Sequence, residues 1–169
     1  LPARPAFAVP RRGSLNAPAA MDDAHWIVPD WPAPPNVRAV CTTREGGVSQ
    51  GRYQSLNLGD HVGDLAAHVA ENRHRLAQAI GGAHPVFLQQ VHGTGLVALD
   101  AEAGIVGDGT PADACTATAV GVACTIMVAD CLPVLFTDES GQRVAAAHAG
   151  WRGLAGGELE AAARCFEPA

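Results

Sequence analysis

Apolar positions fall into short runs separated by clusters of Gly, Asp, Ser and Pro, with one helical stripe among them. Val37 to Cys41 follows a Pro-rich stretch and predicts a first strand. Residues 43 to 64 carry Gly, Ser, Asn and Asp and predict a long loop, a place where function often sits. Asp64 then opens a helix in which Leu65, Val69, Leu76 and Ile80 form one stripe, stopped by Gly81-Gly82. Val86 to Val91 and Leu96 to Leu99 predict two more strands, and residues 100 to 118 a second loop. Val120 to Ala129 is nearly continuous apolar, as in a strand buried on both faces. Pro133 to Thr137 and Arg143 to Ala147 predict a hairpin around the turn Asp138-Glu139-Ser140-Gly141. Leu154, Leu159, Ala162 and Phe166 predict a final amphipathic helix.

Composition narrows the function classes. The 169 residues suit one domain, large enough to fold without disulfides. A formal charge of -6 leaves no basic surplus for a nucleic-acid backbone. No apolar run approaches the roughly 18 residues that span a bilayer, so no membrane partner is expected. Every basic residue is Arg, so any phosphate must be held by Arg, backbone or metal. Five Cys without CxxC pairs, and no apolar signal segment at the start, predict reduced thiols in the cytoplasm. Residues 1 to 20 are a Pro/Ala/Arg-rich leader that we set apart from the fold as disordered or non-native. Residues 21 to 169 form the single expected domain.

Three candidate metal ligands share one topological address. His92 follows the strand from Val86, Cys131 follows the strand from Val120, and His148 follows the strand ending at Ala147. Neighbouring strands would gather two imidazoles and a thiolate at a sheet edge. That donor set suits Zn²⁺ or Cu²⁺, and three protein ligands leave a fourth position open. The spacing matches no standard metal motif. Cys131 also fits a nucleophile with His92 or His148 as its base. His25, His68, His74 and His84, and Cys41, Cys115, Cys124 and Cys165, read as ordinary surface or packing residues.

The wording of several segments is more specific. SLNLGDHVGD (55 to 64), ENR (71 to 73), QQVHGTGLV (89 to 97), ADA (112 to 114), ADCLPVLF (129 to 136) and VAAAHAGWRGL (144 to 154) occur in that order. From about Trp26 to Phe166 the chain resembles the bacterial multicopper polyphenol oxidoreductase (laccase-domain) family, better described as a purine nucleoside phosphorylase and adenosine deaminase family. The resemblance implies an α+β fold: mixed β-sheets with packed helices and a metal site at strand ends, the laccase-domain or cytotoxic-necrotizing-factor-like fold. It implies zinc held by the His of QVHG, the Cys of ADC and the His of HAGWRG, here His92, Cys131 and His148. The family continues past the HAGWRG helix, so the resemblance also implies that a C-terminal part is missing.

The implied activity is phosphorolysis of adenosine, inosine, guanosine and methylthioadenosine, with hydrolytic deamination of adenosine. Nucleoside and phosphate are the expected partners. Asp130 is the candidate proton shuttle and Arg152 the candidate phosphate contact, with Cys131 at the reacting centre. Asn57, His61 and Arg73 are candidate substrate contacts from the loop and helix, and Trp151 a stacking surface for a purine. Three other readings stand beside this one: a copper-dependent polyphenol oxidase, a Cys–His hydrolase or amidase, and an inactive metal-binding fragment.

Overall fold

The structure, a computed structural model, describes residues 4–10, 26–101 and 104–167. Its strands are β1 (Arg4–Pro10), β2 (Val37–Cys41), β3 (His84–Phe87), β4 (Leu96–Ala98), β5 (Asp100–Ala101), β6 (Gly104–Ile105), β7 (Ala114–Ala117), β8 (Val122–Val128), β9 (Leu132–Thr137) and β10 (Val144–Ala149). Its helices are α1 (Ala66–Ala79), α2 (Trp151–Gly156) and α3 (Glu158–Arg164). One sheet has the order β2-β1-β8-β3, a second β4-β7-β10-β9, and β5-β6 is a small ribbon. β3 pairs parallel with β8 and β4 parallel with β7, and the other ladders are antiparallel. The fold is thus α+β with mixed sheets, as expected. No described helix is long and apolar enough to cross a membrane.

The layers run helix, sheet, sheet, helix, and β8 shows why the sequence chooses this. Val122, Cys124, Ile126 and Val128 enter the core between the two sheets, while Ala123 and Met127 enter the core under α1. Successive side chains of a strand point to opposite faces, so a strand between two cores is apolar throughout. On the far side of the second sheet, Ala162 of α3 packs on Ala114 and Ala147. Alanine there lets the short helix lie close to the strands.

Several expectations shift. Arg4–Pro10 of the leader is not outside the fold. It lies between β2 and β8, with Ala8 fully buried. The segment AFAV is itself a short apolar run that a sheet can absorb. Residues 11 to 20 fall outside the described residues. Leu65 is 64% exposed while Val69, Leu76 and Ile80 are buried, so the helical stripe starts one turn later. The strand expected over Val86–Val91 is His84–Phe87. It ends because the Gln90 side chain takes over the ladder, donating to the Met127 carbonyl (2.8 Å) and accepting from its N–H (2.7 Å). The loop expected over 100 to 118 contains β5, β6 and β7. The final helix is two helices, broken at Gly157, whose φ of 84° is left-handed.

Candidate metal centre

His92 and Cys131 leave the same ends of neighbouring parallel strands, β3 and β8. His148 lies within β10 of the other sheet, opposite Pro133 of β9. The ligand atoms of His92, Cys131 and His148 all lie within 4.8 Å of one another. The two imidazoles meet edge to face, with centroids 4.7 Å apart and planes at 76°. The His148 ring is buried, Cys131 half-buried and His92 exposed, so the centre opens to solvent on the His92 side.

One carboxylate organises two of the three ligands. Asp113 is fully buried. Its Oδ1 lies 3.0 Å from His148 Nδ1 and also accepts the His92 backbone N–H (2.8 Å). Its Oδ2 accepts the N–H groups of Gly93 (2.7 Å) and Val91 (3.2 Å). A carboxylate at Nδ1 keeps the proton there and turns Nε2 toward a metal, the usual arrangement behind a metal-bound His. The three converging N–H groups hold the turn that carries His92, whose φ of 61° is rare for a residue with a side chain. Burial raises the Asp113 pKa, but His148 and the three backbone donors outweigh it and hold the carboxyl below its ordinary value. Asp113 was absent from the sequence-derived site. Its signal was the ADA segment itself, an acid among small residues where a strand begins.

Space at the centre is reserved by Gly150. A Cβ there would stand 3.2 Å from Cys131 Sγ and 3.4 Å from His92 Cδ2. Its φ of -72° is open to any residue, so the constraint is the ligands and not the backbone. A second acid lies behind the centre. Glu158 is fully buried, and neither carboxylate oxygen has a hydrogen-bond partner among the described residues. Burial, then the nearby Asp113 charge, push its carboxyl up to about 7. The helical pattern of the last segment hid Glu158, because charged positions there read as the solvent face. For the Cys131 thiol, burial and then Asp130 raise the pKa above its ordinary value. A thiol so placed is a poor free thiolate, whereas a metal ion stabilises the deprotonated form. Two imidazoles, a thiol, a buried orienting carboxylate and a glycine cradle together fit a bound metal ion.

The other expected residues separate into three groups. Asp130 is exposed, its Oδ1 3.8 Å from Cys131 Sγ. Trp151 is 74% exposed and Arg152 lies over its ring, 5.2 Å from the centroid. Asp130 directly precedes Cys131, and Trp151 and Arg152 directly follow Gly150. His61 and Arg73 instead line a neighbouring cavity with Asp60, Phe87, Leu88, Gln89, Gln90 and Gly109. Asn57 is a correction. It is fully buried, its amide spent on the Gly59 carbonyl (3.1 Å), the Gly59 N–H (3.2 Å) and Asp64 (3.0 Å). With every polar atom occupied, it shapes the loop and faces no ligand.

The family described as multi-copper polyphenol oxidoreductase laccase matches residues 38–169. A Pseudomonas aeruginosa protein named purine nucleoside phosphorylase is 57% identical over 136 residues, 80% of this chain and 54% of its own. Purine nucleoside phosphorylase YfiH of Escherichia coli is 50% identical over 141 residues, 83% of this chain and 57% of its own. The chain therefore spans about half the length of these curated relatives. The crystal structure of a Neisseria meningitidis protein shares 50% identity and superposes with a TM-score of 0.77, covering 85% of this chain and 58% of the other. The hypothetical protein YfiH of Bacillus licheniformis, 29% identical, superposes with a TM-score of 0.65 over 74% of this chain and 50% of the other. The fold agrees with these structures, and the chain belongs to the multi-copper polyphenol oxidoreductase laccase family.

Proposed function

We propose that the chain carries the metal centre of a zinc-dependent purine nucleoside phosphorylase that also deaminates adenosine. The observation that bears most weight is the convergence of His92, Cys131 and His148 within 4.8 Å over a buried carboxylate. The names of the similar proteins supply the substrate class. His92, Cys131 and His148 would hold a divalent ion, which would supply Lewis acidity. The protein's own groups do the rest. Asp113 fixes the His148 tautomer and the His92 turn. Asp130, exposed beside Cys131, accepts a proton from the attacking water in deamination and returns it to the departing amine. Arg152, which has no carboxylate partner among the described residues, balances the charge of phosphate. In phosphorolysis the bond from ribose C1′ to the purine nitrogen breaks, a bond from C1′ to a phosphate oxygen forms, and the base leaves with a proton. Trp151 offers an exposed ring for the purine, and His61 and Arg73 contact the substrate from the adjoining cavity.

Zinc fits the ligand set better than a free nucleophile fits Cys131, because the thiol pKa is raised and not lowered. The test is an assay of the purified protein, with its metal content measured, on adenosine with and without phosphate. Adenine and ribose 1-phosphate are expected with phosphate, and inosine and ammonia from deamination. The variants Cys131→Ala and His148→Ala lose both the metal and the activity. Oxygen-dependent phenol oxidation by copper-loaded protein, with no nucleoside turnover, would overturn the reading in favour of the oxidase. Activity that survives chelation and dies with thiol alkylation would favour the Cys–His hydrolase.

A further inference from the structure

The three ligands form a triangle, and each side of it is held by a different device. Asp113 holds the side from His92 to His148: it accepts the His92 backbone N–H (2.8 Å) and lies 3.0 Å from His148 Nδ1. The β9–β10 ladder holds the side from His148 to Cys131, with His148 opposite Pro133, and Leu132, next to Cys131, opposite Ala149. The side from His92 to Cys131 has no ladder of its own among the described residues. β3 and β8 pair only as far as Phe87 opposite Thr125, before either ligand is reached. Yet this side is tight. A Cβ on Gly150 would stand 3.2 Å from Cys131 Sγ and 3.4 Å from His92 Cδ2.

Past Phe87 the main chain changes partner. Gly109 donates to the Phe87 carbonyl (2.8 Å), Gln89 to the Thr110 carbonyl (3.0 Å) and Ala112 to the Gln89 carbonyl (3.3 Å). That partner segment leads straight into Asp113, which takes the N–H groups of Val91, His92 and Gly93. The backbone has thus turned from β8 to the Asp113 side, and one side chain keeps the old connection. Gln90, half-buried, donates from Nε2 to the Met127 carbonyl (2.8 Å) and accepts the Met127 N–H at Oε1 (2.7 Å). An amide presents a donor and an acceptor together, whereas a carboxylate lacks the donor and an ammonium the acceptor. Asn carries the same amide one methylene short. The Gln90 amide therefore supplies the rung that the backbone has given up. It joins the turn of His92, two residues on, to the segment of Cys131, four residues past Met127.

We propose that Gln90 is a positioning residue of the metal centre: its amide is the strut that fixes the Cys131 segment against the His92 turn and so sets the thiolate-to-imidazole side of the triangle. This rests on the metal centre proposed above. The experiment compares the wild-type protein with Gln90→Met, which keeps the volume and loses both hydrogen bonds, and with Gln90→Asn, which keeps the amide but not its reach. Melting curves of the metal-free proteins check that each is folded; should Gln90→Met unfold, the milder Gln90→Asn decides alone. Three quantities are read: exchange of the Met127 amide proton in metal-free protein, zinc affinity by competition with an indicator, and the thiolate-to-cobalt charge-transfer band at saturating cobalt. Both variants are expected to exchange Met127 at least about tenfold faster. They should bind zinc about 10–100-fold more weakly, the scale set by residues that orient metal ligands. The band should weaken per bound cobalt, because Cys131 is no longer held in place. Faster exchange with zinc affinity and band unchanged would overturn the proposal, leaving Gln90 a support of the strand end alone. Wild-type zinc affinity in Gln90→Asn would overturn it too, since reach would then not matter. The strut and the centre fail differently. Zinc bound equally by all three proteins sinks the strut and leaves the centre, whereas no zinc on the wild type sinks both.

Discussion

At the residue scale the centre depends on two positions that are not ligands. Gly150 keeps its Cα clear of Cys131 and His92, and adding a methyl group forces one of them to move. Gly150→Ala is expected to weaken zinc binding at least about tenfold, because ligand geometry tolerates little displacement. The metal-free protein should change stability by less than about 1 kcal/mol, since the backbone there is ordinary. Competition with a zinc indicator and urea unfolding measure the two effects separately. Glu158 gives a pH signature of its own. Its folded pKa is about 7 against an ordinary value of 4.5. The folded state therefore holds a proton that the unfolded chain has released between those values, and stability falls as pH rises through that window. In metal-stripped protein, Glu158→Gln should remove this decline. Above pH 7 the variant should be more stable than wild type by about 1–3 kcal/mol, with the gain gone near pH 4. Denaturant unfolding across pH tests it; a variant less stable at pH 8 would show that the ionised carboxylate is welcome there.

At the element scale the loop that precedes α1 is held by one helical side chain. Asn72 accepts the Val48 N–H (2.8 Å) and donates to Ser49 Oγ (2.9 Å), the Ser55 carbonyl (3.2 Å) and the Asn57 carbonyl (2.8 Å). Asn72→Ala should cost about 2–4 kcal/mol, since it strands several buried partners at once. Thermal unfolding and faster amide exchange over 48–58 would both report it. The strands that the sequence made plain are those whose side chains are large or uniformly apolar: β2 lies where Val37–Cys41 predicted it, and β8 and β9 within a residue or two. β7 was invisible because Ala114–Ala117 is built from small residues that bury completely without showing a period. The triad was legible because His92 and Cys131 follow strand ends and His148 lies one residue before the end of β10. Asp113 was not, since its role depends on the pairing of β7 with β10, which no local pattern encodes. The split of the last helix turned on one left-handed glycine followed by a buried acid.

At the scale of the whole molecule the ligands come from both sheets, His92 and Cys131 from the ends of β3 and β8, His148 from β10. An ion bound there ties the folded arrangement of the two sheets together and has no equivalent site in the unfolded chain. Zinc at a hundredfold excess over its dissociation constant should stabilise the protein by about 2.7 kcal/mol. A chelator should reverse the shift, and His148→Ala should abolish it; equal stability with and without zinc would show that the triad is not a site in solution. The bridging position has another consequence. A spectroscopically active ion such as cobalt, seated between the sheets, acts as a ruler for their separation. Its ligand-field bands would register sub-ångström sliding of one sheet over the other. Conservative repacking at positions that are not ligands, Cys115 of β7 or Cys124 of β8 in the core between the sheets, would then be readable as colour.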